Sequence, residues 1–154
     1  MKKSTAISLY AICALVLLAA DRATKWLAVS ADVRDYQLFP GVSCDVAFNR
    51  GISWGMLSFE SCLLFGLVTL MNCLITAWVI RLAWQRWQQR RCIAGELMVV
   101  CGALSNIIDR VWYGAVVDFI DCSIGSWHWP TFNIADCAIV AGVALMIWFH
   151  ARES

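Results

Sequence analysis

Polar and apolar positions in this chain fall into blocks, not into the stripes of a surface helix or the alternation of a half-buried strand. Residues 4–20 and 61–80 carry no charge. Residues 92–112 are apolar apart from Glu96 near the start and Asn106, Asp109 and Arg110 near the end, and residues 137–149 are again free of charge. A helix needs roughly 20 apolar residues to cross a bilayer. The first block reaches that length if its helix continues through Asp21 to Ala28. The pattern therefore predicts spans at 5–28, 61–80, 92–112 and 131–150. Lys2, Lys3 and the small pair Ala19-Ala20 also fit a cleavable signal peptide. The retained span is the reading adopted here: Asp21 and Lys25 are four apart, share a helix face and can pair, an arrangement no cleavage site requires.

Two polar stretches separate these blocks on one side. Residues 29–60 contain Pro40 and short alternating pieces such as residues 42–48, which predict a loop with some strand. Residues 113–130 read as a second loop, carrying Asp118 and Asp121 and no basic residue. On the other side lie Lys2, Lys3, Arg81, Arg86, Arg90, Arg91 and Arg152, against Arg34 and Arg50 alone in the two long loops. Basic residues gather on the cytoplasmic side, so both termini are expected in the cytoplasm and both long loops outside. Trp26, Trp54, Trp112, Trp127 and Trp129 would then mark the outer interface.

Composition supports the membrane reading. The chain is 61% hydrophobic and 15% charged over 154 residues, with a mean hydropathy of +0.68; soluble domains are about half apolar and a quarter charged. The net charge of +1 is uninformative about nucleic acid, and no basic stripe with interleaved aromatics points to it, so no nucleic-acid partner is expected. None of the eight cysteines forms a C-x-x-C pair, and with only His128 and His150 a zinc site is not indicated. Most cysteines lie in apolar runs and read as small core residues. Cys44 and Cys122 fall in the outer loops, where a disulfide between them is open. The expectation is one membrane domain over residues 1–154: all-α, four spans, and a small extracytoplasmic region containing strand.

The polar residues inside these blocks are the candidates for chemistry. An ionisable group in a membrane span is costly and marks a site by default. Asp136 opens the last apolar run with no basic residue within ten positions. Asp118 is its best partner, and Asp121 competes with it. Gly102, Asn106, Asp109 and Arg110 share one face by spacing; Asn133 and Asp136 share another. Gly102 would let a second backbone approach. Structural readings stand beside these. Asp109 with Arg110, and Asp21 with Lys25, read as structural ion pairs, and Glu96 as a surface partner of the basic loop. Asn49, Asn106 and Asn133, at one predicted level, read as support for a site.

Five blocks taken together resemble the lipoprotein signal peptidases, the bacterial type II signal peptidases. They are Asp21-Arg22-Ala23-Thr24-Lys25, Phe48-Asn49-Arg50-Gly51, Gly102 through Arg110, Val116-Val117-Asp118-Phe119, and Phe132-Asn133-Ile134-Ala135-Asp136, in the family's order. Two departures stand out: Cys101 and Ser105 where the family often has glycine, and Ser53-Trp54 where it often has Ala-Phe. The resemblance implies a four-span aspartic endopeptidase of the bacterial inner membrane with its site at the outer face. It would act as a monomer on diacylglyceryl-modified prolipoproteins among the membrane lipids, cutting just before the lipidated cysteine. By that resemblance Asp118 and Asp136 are catalytic; Asn49, Gly51, Asn106, Arg110 and Asn133 bind substrate or support the site; and Asp21, Lys25 and Asp109 are structural polar residues.

Two carboxylates sharing one proton can activate water for peptide hydrolysis without a metal or cofactor. The same carboxylates could serve a small proton-linked transporter, which would also need polar groups at mid-membrane and at the cytoplasmic end. A non-enzymatic adaptor would tolerate replacement of both aspartates.

Overall fold

The computed structural model describes residues 3–51 and 62–153. In chain order the elements are α1 (Lys3–Ser30), β1 (Tyr36–Phe39), β2 (Val42–Asn49), α2 (Cys62–Gln88), α3 (Ala94–Tyr113), β3 (Val116–Ile124), β4 (Trp127–Phe132) and α4 (Ile134–Glu153). Three helical stretches, Thr5–Ser30, Cys62–Gln88 and Ile134–Arg152, are long and apolar enough to cross a membrane. Large apolar side chains such as Leu15, Leu63, Trp78 and Val140 stand outward on them, which suits helices solvated by lipid tails and not by water. The protein is thus an integral membrane protein. Its fourth helix, α3, is apolar too but carries Glu96, Asp109 and Arg110.

Helix α3 is the one around which the others are arranged, packing on α1, α2 and α4 and on β3. Its contact with α4 is made by small residues. Gly95 and Gly142 face each other so closely that a Cβ on either would lie 2.7 Å from the other's carbonyl oxygen. Seven residues along, Gly102 lies against the Ala135 carbonyl and Ile139. Gly95 meets the late part of α4 and Gly102 the early part, so the two helices run antiparallel along a seam of glycine and alanine. The sequence expectation for Gly102 holds.

At one end of the helices a four-stranded antiparallel sheet is ordered β1-β2-β3-β4. It is tied to α1 through a cluster of Ala28, Val46 and Phe119, and the Val46 N–H donates to the Val33 carbonyl at 3.1 Å. Residues 113–130, expected as a loop, instead form most of β3 and β4. Val116, Val117, Asp118 and Phe119 are all buried, so both faces of this part of β3 are covered and no period of two reaches the sequence.

Three further expectations need correction. The basic loop is short because α2 continues to Gln88, so Arg81 and Arg86 are helical. Glu96 is buried, with Oε1 2.8 Å from Arg86 Nε, and is no surface residue. Cys13, Cys62, Cys73 and Cys137 are exposed on the helices and only Cys101 is buried; Cys44 and Cys122 are both free thiols. In β2 and β3, Cys44 is level with Ile120 and Cys122 with Val42. The exposed Trp26, Trp112, Trp127 and Trp129 lie towards the sheet end of the molecule; Ser53 and Trp54 lie outside the described residues.

The glycine seam sets a stability prediction. Gly142→Val forces backbone apart along α3 and α4 and should destabilise by about 1–3 kcal/mol or more. Gly66→Ala on α2, where an added Cβ meets nothing within 4 Å, should be neutral or stabilising by up to about 1 kcal/mol. Melting temperatures of the purified variants in detergent check both; equal values for the two would contradict the seam.

Candidate functional site

Lys25 is buried and spends its three donors inside the protein. Nζ lies 2.9 Å from Asp21 Oδ2 and 2.7 Å from Asp109 Oδ2, and donates to Asn106 Oδ1 at 2.8 Å. The Asp21–Lys25 pair expected from spacing is present. Asp109 pairs with Lys25 and Arg22, and not with Arg110 as expected: adjacent helix positions point about 100° apart, so i and i+1 do not face one another. Arg110 turns the other way. Its Nη2 donates to the Gly51 carbonyl at 3.0 Å, and its guanidinium lies 5.3 Å above the Phe65 ring.

The start of α4 is closed by side chains. A helix begins with N–H groups that lack intrahelical partners. Asn133 is the cap: its Oδ1 accepts from the Asp136 N–H at 2.9 Å, and the Asn133 N–H donates back to Asp136 Oδ2 at 3.3 Å. This is a capping box with asparagine and aspartate in the two roles. The Ala135 N–H donates to Asp21 Oδ1 at 2.8 Å, so a carboxylate from α1 completes the cap and fixes α1 against α4.

Asp118 reaches the same place from the sheet. Ala47 is level with Asp118 and Asn49 with Val116, which puts Asn49 and Asp118 diagonally on one face. Asn49 Nδ2 donates to Asp118 Oδ2 at 3.0 Å, and Asn133 Nδ2 to Asp118 Oδ1 at 2.6 Å. Asn106 Nδ2 donates to Asp136 Oδ1 at 2.8 Å. Each asparagine has its carbonyl end held by a group that can only donate. Lys25 holds Asn106, the Asp136 N–H holds Asn133, and the Gly51 N–H holds Asn49 at 2.9 Å. Each amide N–H₂ therefore points at a carboxylate.

Asp118 and Asp136 both line a cleft of about 800 Å³ between α2, α3 and α4, together with Asn49, Gly51, Asn106 and Arg110. Its deeper wall is apolar apart from Asn72. Burial is the main reason the Asp118 carboxyl is pushed up to about 7, and the neighbouring Asp136 charge adds to it; hydrogen bonds from Asn49 and Asn133, and the Lys25 charge, oppose it. Asp121, the competing carboxylate, lies along β3 with Oδ2 2.9 Å from His128 Nδ1 and accepting from Ser43 Oγ at 3.4 Å; it is not among the residues lining the cleft. The structure thus brings together Asp118, Asp136, Asn49, Asn106, Asn133, Gly51 and Arg110, with Asp21, Lys25 and Asp109 behind them. Sequence reasoning passed over Ser105, whose hydroxyl donates to Asp21 Oδ2 at 2.6 Å, and Arg22. Ser105 precedes Asn106 and so lay next to the polar helix face already identified.

Comparison with known proteins shows the family. The family described as "Signal peptidase (SPase) II" matches residues 13–152. The lipoprotein signal peptidase of Polynucleobacter necessarius subsp. necessarius (strain STIR1) is 34% identical, over 99% of this chain and 94% of that protein. That of Methylorubrum extorquens (strain PA1) is 39% identical over 93% and 85%. A bacterial membrane enzyme solved by the in meso method at 2.3 Å superposes with a TM-score of 0.77 at 26% identity, covering 96% of this chain and 90% of that one. With its family matched along nearly its whole length, the chain belongs to the signal peptidase II family of aspartic peptidases.

Proposed function

We propose that this protein removes signal peptides from diacylglyceryl-modified prolipoproteins, cutting before the lipidated cysteine, with Asp118 and Asp136 as the catalytic pair. The observation that carries this reading is a buried and a half-buried carboxylate, both oriented by asparagine amides, at the polar end of a cleft whose other walls are largely apolar helices. A water held between the carboxylates loses a proton to the ionised one as its oxygen attacks the scissile carbonyl. The protonated partner donates a hydrogen bond to the carbonyl oxygen, and a proton then passes to the departing amine. The products are a free signal peptide carboxylate and an amine on the lipidated cysteine.

The resting proton belongs on Asp118. Asp136 sits in the first turn of α4, where the positive end of the helix dipole favours a charge; Asp118 is on a strand, buried and pushed up to about 7. Arg110 has a buried Nη1 without a hydrogen-bond partner among the described residues, a donor available to the substrate backbone beside the pair. Asn49, Gly51, Asn106 and Asn133 support the site, while Asp21, Lys25 and Asp109 hold it together.

In the membrane, α3 serves as the fourth span. Its charges lie near its two ends and all have partners: Glu96 with Arg86, Asp109 with Lys25 and Arg22, Arg110 with the Gly51 carbonyl. The sheet and the site then face the outside of the bacterial inner membrane, with both termini and the Arg90-Arg91 turn in the cytoplasm. The Arg86–Glu96 pair is a polar group at the cytoplasmic end such as a transporter would need, but its charges neutralise each other and apolar residues separate it from the carboxylates.

Two predictions follow from the pair. Asp118→Asn and Asp136→Asn should each lower cleavage of a diacylglyceryl-modified prolipoprotein by roughly 10²–10⁴-fold, while Asp121→Asn keeps near-normal activity. A gel-shift assay with purified protein in detergent reads this, with the unlipidated substrate as control; a full-rate Asp118→Asn enzyme would remove Asp118 from the pair.

The second is a pH dependence. Below an ordinary carboxyl value of about 3.9, Asp118 is protonated whether the chain is folded or not. Between there and about 7 the folded protein still holds a proton that the unfolded chain has released, so rising pH favours unfolding across that interval. Wild type should therefore lose more melting temperature between pH 5 and pH 7.5 than Asp118→Asn does. Activity should fall on the alkaline side, above about pH 7, as the last shared proton leaves. A flat alkaline profile would contradict a protonated Asp118.

A further inference from the structure

Below the carboxylates the cleft contains one amide side chain in an otherwise apolar wall. Asn72 lies in the middle of α2, in the stretch that carries no charge from residue 62 to residue 80. It lines the same cleft as Asp118 and Asp136. Its backbone carbonyl accepts from Thr76 Oγ1 at 2.7 Å, but among the described residues no group hydrogen-bonds its side chain. An unmatched amide in an apolar setting costs on the order of 1–3 kcal/mol, and leucine of nearly the same shape would avoid that cost. Asn72 is itself half-buried. Neighbours on its helix face, Val68 and Thr76, are buried, and Ile139 and Ala144 of α4 line the same cleft.

The depth of Asn72 says what it could meet. Phe65, under the Arg110 guanidinium, marks the level of the polar site on α2. Asn72 is seven residues further on, about 10 Å deeper at 1.5 Å per residue. That is the reach of about three extended residues. We propose that the Asn72 side chain is a substrate-recognition group, its amide N–H₂ donating to a carbonyl in the membrane-embedded part of the substrate. The inference rests on the peptidase reading above. Two parts of such a substrate offer a carbonyl at this depth. One is the signal peptide backbone about three residues before the scissile bond; the other is an ester of the diacylglyceryl group. Each presents a carbonyl acceptor, and the amide N–H₂ can donate to either.

The experiment uses the full chain in detergent and a diacylglyceryl-modified prolipoprotein peptide, comparing wild type with Asn72→Leu and Asn72→Ala. Both variants should raise KM about tenfold, the size of one hydrogen bond, with kcat within about twofold and the melting temperature of Asn72→Leu unchanged or higher. Two altered substrates locate the acceptor: one with ether-linked chains, and one lacking the residues more than two before the scissile bond. On whichever removes the partner, wild type should fall to the level of Asn72→Leu and the variant should lose nothing further. Equal KM for wild type and Asn72→Leu on the complete substrate would overturn the inference, as would equal losses for both enzymes on both altered substrates. A drop in kcat alone would also overturn it, since that marks disturbance of the carboxylate pair. Failure of folded wild type to cleave the complete substrate would instead overturn the peptidase reading, and this inference with it.

Discussion

A single buried ammonium sets the geometry on which the rest depends. Burying Lys25 is tolerable only if its charge is matched and all three of its protons are used. Asp21, Asp109 and Asn106 meet that demand from two helices. Asp21 passes the constraint on by capping α4, and Asp109 by accepting from the Val117 N–H at 3.3 Å. One ion cluster thereby fixes α1, α3, α4 and the start of β3 with respect to each other. In lipid there is no hydrophobic force to press helices together, so such a cluster, with the glycine seam between α3 and α4, supplies the specificity of assembly that a water-soluble core would otherwise provide.

The same cluster reaches the candidate active site through asparagine orientation. Lysine can only donate, so Asn106 must turn its oxygen toward Lys25 and its N–H₂ toward Asp136. Asn133 and Asn49 are turned in the same sense by backbone N–H groups. An asparagine is well suited here because it carries one acceptor end and one donor end on a short, stiff side chain. Aspartate in its place would add charge and repel the pair; leucine would leave its hydrogen-bond partners unmatched.

The sequence disclosed this arrangement unevenly. Apolar blocks located the helices, because a bilayer demands length and absence of charge and both are visible residue by residue. Spacing identified the faces of α3 and the Asp21–Lys25 pair. What it could not show depended on contacts between distant segments. Asp109 was assigned to Arg110 by adjacency, whereas its partners lie on α1. Glu96 looked peripheral because the end of α2 could not be seen to continue past the last apolar residue. β3 was hidden because its buried residues run consecutively instead of alternating. Asn72 did not register at all: one amide in an uncharged helix changes no hydropathy block, and only the cleft gives it meaning.

The two carboxylates differ in support, and that difference is what makes a pair useful. A symmetric pair of acids would share a proton without preference and present either face to the water. Here one acid belongs to a strand and the other to the first turn of a helix, and Asn133 touches both. In the proposed mechanism the helix dipole and capping bonds favour charge on Asp136, while burial and the neighbouring charge push the Asp118 carboxyl up. Separate supports joined through one asparagine thus give the two carboxylates of the proposed pair unlike surroundings before any substrate arrives. This requires β3 and the start of α4 to stay in register, which is why the ion cluster behind them spans the elements that carry both.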